Sequence, residues 1–379
     1  MGLLTYQPFK GVYLIGAIGF ELARLPIWLI KYLTKYGRQH PEWTFRNALV
    51  ARIAFSALYH LSMVQMGTPL PLTAGKEKER FVVIKPFSSD NYTGPFAPTA
   101  DVKPVEIGAS WYPAPLTPAS DTSKVTVVLH FHGGAYVVGD GRTDSMGYSA
   151  HQLLKHGGAT HVLASQYRLS SLPASATSNP FPAAVQDALT SYLYLVRTLG
   201  IPPSNIIVAG DSAGGNAAIA LLRYISSHGA DIPDPIPAPA AAFLWSPWIS
   251  PSETLKGDFT RTNVNYGTDY LSRPFTDWGA AAYAGKGGKE VLESPYVSFK
   301  RQPFKTETKI WTHTGGAEVL FFDDKQWVLE MKAVGNEVVL DVDEKVPHDL
   351  FLMGKPLGLE KELAAAIKRA GEWFREVRK

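Results

Sequence analysis

Between residues 205 and 225 an apolar run, NIIVA, passes through Gly210-Asp211-Ser212-Ala213-Gly214 straight into a helix-forming stretch, GNAAIALLRYI. Few backbone arrangements accommodate that order. The chain must leave a strand and enter a helix within a residue or two. The small residues let it do so with the serine held strained and exposed at the tip. The start of the helix behind Ser212 also brings a positive dipole end to any anion developing there. Glycine and serine cluster at many plain turns, so the spacing alone is weak; in this strand-to-helix setting it marks Ser212 as a nucleophile.

The rest of the chain fits the same architecture. Strand-like runs recur at 81–87, 124–131, 161–167, 205–210, 241–245, 308–314 and 336–342. Several are continuously apolar, as strands covered on both faces are. Helical patterns separate them at 142–157, 181–199, 213–228, 318–334 and 358–378. Such alternation predicts a mostly parallel sheet flanked by helices. The Pro-, Thr- and Ser-rich stretch between the first two strands reads as a surface loop, and 230–240 as a Pro-rich connector. Residues 250–305 lack clear periodicity and are expected to form a cap or loop insertion. No internal repeat is present, which removes propellers and solenoids.

A serine nucleophile needs a base, an orienting acid and donors for an oxyanion. His132-Gly133-Gly134-Ala135 directly follows a strand, so its amides can face a cavity; with the amide of Ala213 they would make an oxyanion hole. His132 itself reads better as a structural histidine bonding loop backbone. Of ten histidines, His348 stands out as the last, in a Pro347-His348-Asp349 loop between a strand and the C-terminal helix. For the acid, Glu318 follows the Gly315-Gly316 turn at a strand end. Asp323 and Asp324 are its rivals, expected to be solvated helix residues if Glu318 is the acid.

Composition narrows the chemistry. The 379 residues include no cysteine, which excludes a disulfide framework, a thiol nucleophile and any Cys-ligated zinc or iron–sulfur site. The net charge of +3 is too small to suggest a nucleic-acid partner. Its distribution is uneven, because residues 1–80 hold ten Lys/Arg against four Asp/Glu. There, residues 11–30 read GVYLIGAIGFELARLPIWLI, long enough to span a bilayer. Glu21 and Arg24 oppose a span at ~2.5–3.5 kcal/mol each, although one helical turn apart they can pair. The barely basic flank and the lack of a small-x-small site argue against a cleaved signal. The segment is expected to be a cap helix or a membrane-surface helix rather than a true span. If it did span, Lys31, Lys35, Arg38, Arg46 and Arg52 would leave the following domain cytoplasmic. A second helical stretch covers 43–66.

FHGGAY (131–136), QYRLS (166–170), FPAAVQDAL (181–189), GDSAGG (210–215) and VPHDLF (346–351) together resemble the hormone-sensitive-lipase-type (HGGG-motif) branch of the α/β-hydrolase superfamily. The likeness covers about 81–379 and is nearest to fungal steryl acetyl hydrolase-like and secondary-metabolite esterases. It implies an α/β-hydrolase fold, a mostly parallel eight-stranded sheet with a helical cap from the N-terminus and an insertion after strand 6. The domains are then 1–75, a helical cap that is a candidate for membrane association, and 76–379, the catalytic domain with its insertion at about 246–305. Carried over, Ser212 is nucleophile, His348 base and Glu318 acid, while Gly133, Gly134 and Ala213 are oxyanion donors. Three positions depart from the family pattern: Ala135 replaces the third glycine, Glu318 the commoner Asp, and Gln166 an acidic residue that is generally structural. Asp187 reads as a structural polar anchor.

Aromatic residues crowd both cap segments: Trp28, Trp43, Phe55 and Tyr59, then Trp245, Trp248, Phe259, Tyr266, Tyr270, Phe275 and Trp278. They suit a bulky hydrophobic ester, sterol- or polyketide-like, with Tyr136, Trp245 and Trp248 as candidate substrate contacts. The expected activity is a cofactor-independent, metal-free serine carboxylesterase acting through an acyl-enzyme. An acyltransferase, amidase or cyclase would use the same triad, and a non-catalytic small-molecule binder would use the fold without it. The expected partner is a small ester, with membrane association through 11–33 and a monomer or homodimer. The setting is either cytoplasmic or the endoplasmic-reticulum membrane, with the side of the catalytic domain open.

Overall fold

The computed structural model describes residues 2–256 and 259–378. Its strands are β1 (Phe81–Ile84), β2 (Ile107–Tyr112), β3 (Val127–Phe131), β4 (His161–Gln166), β5 (Ile206–Asp211), β6 (Ala241–Trp245), β7 (Lys309–Gly315) and β8 (Val338–Asp343). They form one sheet in the order β1-β2-β4-β3-β5-β6-β7-β8. β2 pairs antiparallel with β1 and β4, and every other neighbouring pair is parallel. Continuously apolar strands are explained by two cores. Ile206 and Val208 of β5 face one, and Ile207 and Ala209 face the other. The one strand that sequence reading takes for loop is β2, IGASWY. It has a glycine and a serine among six residues and sits in Pro-rich surroundings, yet all six are buried.

The helices are α1 (Phe9–Leu33), α2 (Phe45–Met63), α3 (Thr143–His156), α4 (Ala183–Leu193) and α5 (Ala213–His228), then α6 (Pro251–Thr254), α7 (Phe259–Thr262), α8 (Arg273–Ala284) and α9 (Gly288–Leu292) in the insertion after β6, and finally α10 (Phe321–Ala333), α11 (Leu350–Leu357) and α12 (Glu360–Val377). α4 and α5 pack on one face of the sheet, and α3 and α12 on the other. The C-terminal helix expected from 358 is preceded by the separate α11, closed by Gly358 at φ +81°, which a left-handed cap requires. Phe259 begins α7, but its side chain lies outside the described residues.

The N-terminal helices are joined to the sheet layers through α2. Thr44 caps it with a reciprocal Asn47 bond, and its flank is fastened to the loops around α11. Trp43 Nε1 donates to the Lys345 carbonyl (2.6 Å) and Asn47 Nδ2 to that of Leu357 (2.7 Å). Trp28 and Tyr32 of α1 join Trp43, Ala48, Ala51 and Leu357 in a small separate core. α1 is thus the outermost layer, resting on α2.

Candidate active site

β5 ends at Asp211 and α5 begins at Ala213, leaving Ser212 alone between strand and helix. Its backbone is at φ +51°, ψ −116°, a strained region for a residue with a Cβ, held only where surroundings over-determine it. Here the constraint is close packing of the turn. A Cβ on Gly214 would stand 1.9 Å from the Phe131 carbonyl oxygen. Ser212 Oγ lies 3.0 Å from His348 Nε2, and His348 Nδ1 lies 3.2 Å from Glu318 Oε2. The three side chains come from the ends of β5, β7 and β8, at the carboxyl edge of the sheet where open α/β folds place their sites.

All three are buried. Burial alone would lower His348, but the hydrogen bond and charge of Glu318 override it and raise the imidazole to about 9. Burial would raise Glu318, but its bonds to His348 and Thr314 hold it below the ordinary carboxylate value. The Asp349 amide donates to the same Glu318 oxygen at 3.3 Å.

The rival acids need correcting. Asp323 and Asp324, expected to be solvated, are both buried. Asp323 pairs with Lys300 at 2.8 Å. Thr314 Oγ1 bonds Glu318 Oε1 and lies 2.8 Å from Asp324 Oδ2. One hydroxyl proton serves one carboxylate, so the second carboxyl must bring its own. Burial first, then the nearby Glu318 charge, push Asp324 well up and make it the protonated partner. Asp324 therefore stands behind the acid rather than in solvent. Asp269 of the insertion adds a further buried carboxylate; it accepts from Val319 N at 2.7 Å and ties the cap to the Glu318 loop.

The oxyanion loop is corrected at one position. Gly133, expected to offer its amide to the cavity, donates it to Asp211 Oδ2 at 2.7 Å. The other Asp211 oxygen meets His130 Nε2 at 2.7 Å, and burial keeps that imidazole neutral, lowered to about 3. Asp211 thus clamps the loop to the elbow. Among the described residues the amides of Gly134, Ala135 and Ala213 have no protein acceptor, and Gly134 lines the cavity at Ser212. Gly134 sits at φ +105°, and a Cβ there would meet the Val138 carbonyl oxygen at 2.2 Å. His132 is structural, as expected: its Nδ1 meets the Gly133 carbonyl at 2.7 Å and its ring stacks on Tyr167.

Ser212 and His348 open into a cavity of about 220 Å³, lined by Ala54, Ala57 and Leu58 of α2, Gly134 and Val138, Tyr270, Leu271 and Phe275 of the insertion, and Asp349, Leu352 and Met353 around α11. A roomier depression of about 710 Å³ between α2 and α8 contains none of the three triad residues. The proposed aromatic contacts are not in the lining. Tyr136 is buried, donates to Asn216 Oδ1 at 2.8 Å and stacks on Tyr283. Trp245 lies on the far face of the sheet with Trp311 and Phe351. Trp248 is buried in the core, and its carbonyl accepts from Asn216 Nδ2 at 2.6 Å. Proximity to the motifs in sequence says nothing of which face a ring takes. Asp187 anchors Arg168 at 2.8 Å, whereas the side-chain amide of Gln166 is buried without a partner among the described residues.

Sequence reading passed over Asp211, Asn216, Asp269 and Thr314, and weighed Asp324 only as a rival acid. Asp211 alone carried a signal, an acidic residue ending an apolar strand beside the serine. As to metals, His313, Asp341 and Asp343 bring donor atoms together, but Arg369 already bonds both aspartates at 2.7 and 2.8 Å.

A sequence profile described as the alpha/beta hydrolase fold matches residues 128–352, more than half of the chain. An acetyl-hydrolase of Streptomyces hygroscopicus is 37% identical over 121 residues, 32% of this chain and only 35% of that protein's length. Esterase LipU of Mycobacterium tuberculosis is 27% identical over 269 residues, 68% of this chain and 80% of its own. Among solved structures, an esterase of the bacterial hormone-sensitive lipase family superposes with a TM-score of 0.61 at 24% identity, covering 88% of this chain and 98% of that one.

Proposed function

The chain belongs to the alpha/beta-hydrolase family, and from that premise we propose that it is a serine carboxylesterase of the hormone-sensitive-lipase type, acting on a bulky apolar ester through an acyl-enzyme. Ser212 Oγ attacks the ester carbonyl carbon while its proton passes to His348 Nε2. The carbonyl oxygen, now an anion, accepts from the Gly134, Ala135 and Ala213 amides, each worth about 3 kcal/mol in the transition state. The tetrahedral adduct collapses, His348 returns the proton to the leaving alkoxide, and the acyl group stays on Ser212. Water then repeats the sequence with His348 as base, releasing the carboxylic acid. Glu318 holds Nδ1 protonated and faces the imidazolium formed at each step.

The observation that carries this reading is the continuous bonding from Ser212 Oγ through His348 to Glu318, next to three unengaged amides. The apolar lining by Leu58, Val138, Leu271, Phe275, Leu352 and Met353 supports a hydrophobic substrate. Ser212→Ala is expected to lower kcat for a short p-nitrophenyl ester by about 10⁴-fold or more, with the unfolding midpoint unchanged. Unaltered turnover in that variant would overturn the assignment.

A further inference from the structure

α1 reverses the pattern of an ordinary surface helix. Between its basic ends, its polar side chains face inward. Tyr13 Oη meets His60 Nδ1 at 2.8 Å, His60 Nε2 lies 3.0 Å from Glu21 Oε1, and Glu21 pairs with Arg24 at 3.4 Å. Arg24 and Arg52 lie on the Trp28 ring, 5.0 and 4.9 Å from its centre. The outer face is apolar: Val12, Phe20, Ile27 and Leu33 are exposed, with Ile15 at 75% and Ile30 at 71%. A helix in water hides its apolar stripe and shows its charges. This one shows an apolar stripe along 25 residues, roughly 37 Å of helix. The charges that weigh against bilayer entry in the sequence face α2 instead.

α2 is itself seated on the body, so α1 lies along the molecule and meets a membrane by one face. Crossing the membrane would strip it from His60 and Arg52. Its two ends are basic, with Lys10 at one and Lys31 and Lys35 at the other. Any two-fold pairing of this face with a second copy would set lysine against lysine, whereas anionic headgroups complement both ends.

The inner side of the same layer adjoins the cavity of the nucleophile. An apolar groove of about 430 Å³ runs between α1 and α2, past Ile18, Leu22, Leu25, Ile53 and Leu61. It shares Ala57 with the cavity at Ser212. That cavity, about 220 Å³, is smaller than the ~300–1,000 Å³ of sites that enclose a drug-sized ligand. A bulky ester must extend beyond it.

We propose that the α1–α2 layer is a lipid-docking surface: the outer face of α1 enters an anionic leaflet, and apolar ester dissolved there reaches Ser212 along the groove beside Ala57. Delivery rests on the esterase reading above; docking does not. The test uses the full-length chain and vesicles of phosphatidylcholine with phosphatidylserine, carrying a long-chain fluorogenic ester. The parent is expected to float with the vesicles and the double variant Ile15→Glu, Ile30→Glu to lose roughly tenfold or more of that binding. Hydrolysis of the vesicle-borne ester should fall in parallel, while turnover of a short soluble ester, which also reports the fold, stays unchanged.

Docking is overturned if the parent does not float, if the variant floats equally, or if the substitutions convert a parent dimer to monomer with neither form floating. Delivery is overturned if the variant no longer floats yet hydrolyses the vesicle-borne ester at the parental rate. A parent that floats but cleaves no ester in either form refutes the esterase reading and leaves docking standing.

Discussion

The proton on His348 sets the working range of the site. The base acts only when unprotonated, so kcat/KM rises with pH as that proton leaves. Because Glu318 raises the imidazole from 6.5 to about 9, the acid limb of the pH profile should lie on the alkaline side of an ordinary histidine. Glu318→Gln keeps a hydrogen-bond acceptor and removes the charge. Burial, which depresses the imidazole, is then opposed only by the weaker charges of Asp269 and Asp349, and the acid limb of the residual activity should move to lower pH. A pH–rate series on both proteins measures it; a limb that does not move shows that Glu318 does not govern His348. Ser212 and His348 were legible because each sits in a local pattern, a strand–turn–helix and a final loop after a strand. Asp324 was not legible. Its exposure and protonation depend on Thr314 and Glu318 meeting it through space, and no spacing along a helix reports that. Gly133 misled for a related reason: nothing in His-Gly-Gly shows that one amide is already held by Asp211.

At the scale of elements, one buried side chain at the start of the elbow helix ties it to several neighbours. Asn216 accepts from Tyr136 Oη at 2.8 Å and donates to the carbonyls of Trp248 and Val297 at 2.6 and 2.7 Å. It therefore links the oxyanion loop, α5 and both ends of the insertion. Asn216→Leu would strand three buried polar groups at about 1–3 kcal/mol each, so a loss of about 3 kcal/mol or more is expected. Denaturant midpoints measure it, and a change below about 1 kcal/mol would mean that these bonds do not hold the elements together. Strongly periodic elements were readable: α5 falls at 213–228 as its pattern predicts. β2 was missed because packing on both faces, rather than an apolar pattern, makes IGASWY a strand. At the C-terminus the pattern at 358–378 corresponds to α12, whereas the short α11 before Gly358 was missed.

The whole molecule is a sheet with its nucleophile at the carboxyl edge, an insertion and α2 closing over it, and α1 outside them. The sequence alternation predicted the sheet, and the uneven charge pointed to the N-terminus as the segment with a different environment. Which way Glu21 and Arg24 face was beyond it, since a helical pattern gives spacing and not a partner. The catalytic reading of the assembled molecule depends on one atom, Ser212 Oγ, being the reacting group. Its most direct measurement is intact mass and peptide mapping after treatment with a fluorophosphonate ester, which forms a phosphonyl–oxygen bond with an activated serine and expels fluoride. The expected result is one adduct per chain, confined to Ser212, formed with loss of esterase activity. Full labelling at another residue, or none while ester hydrolysis continues, would contradict the account.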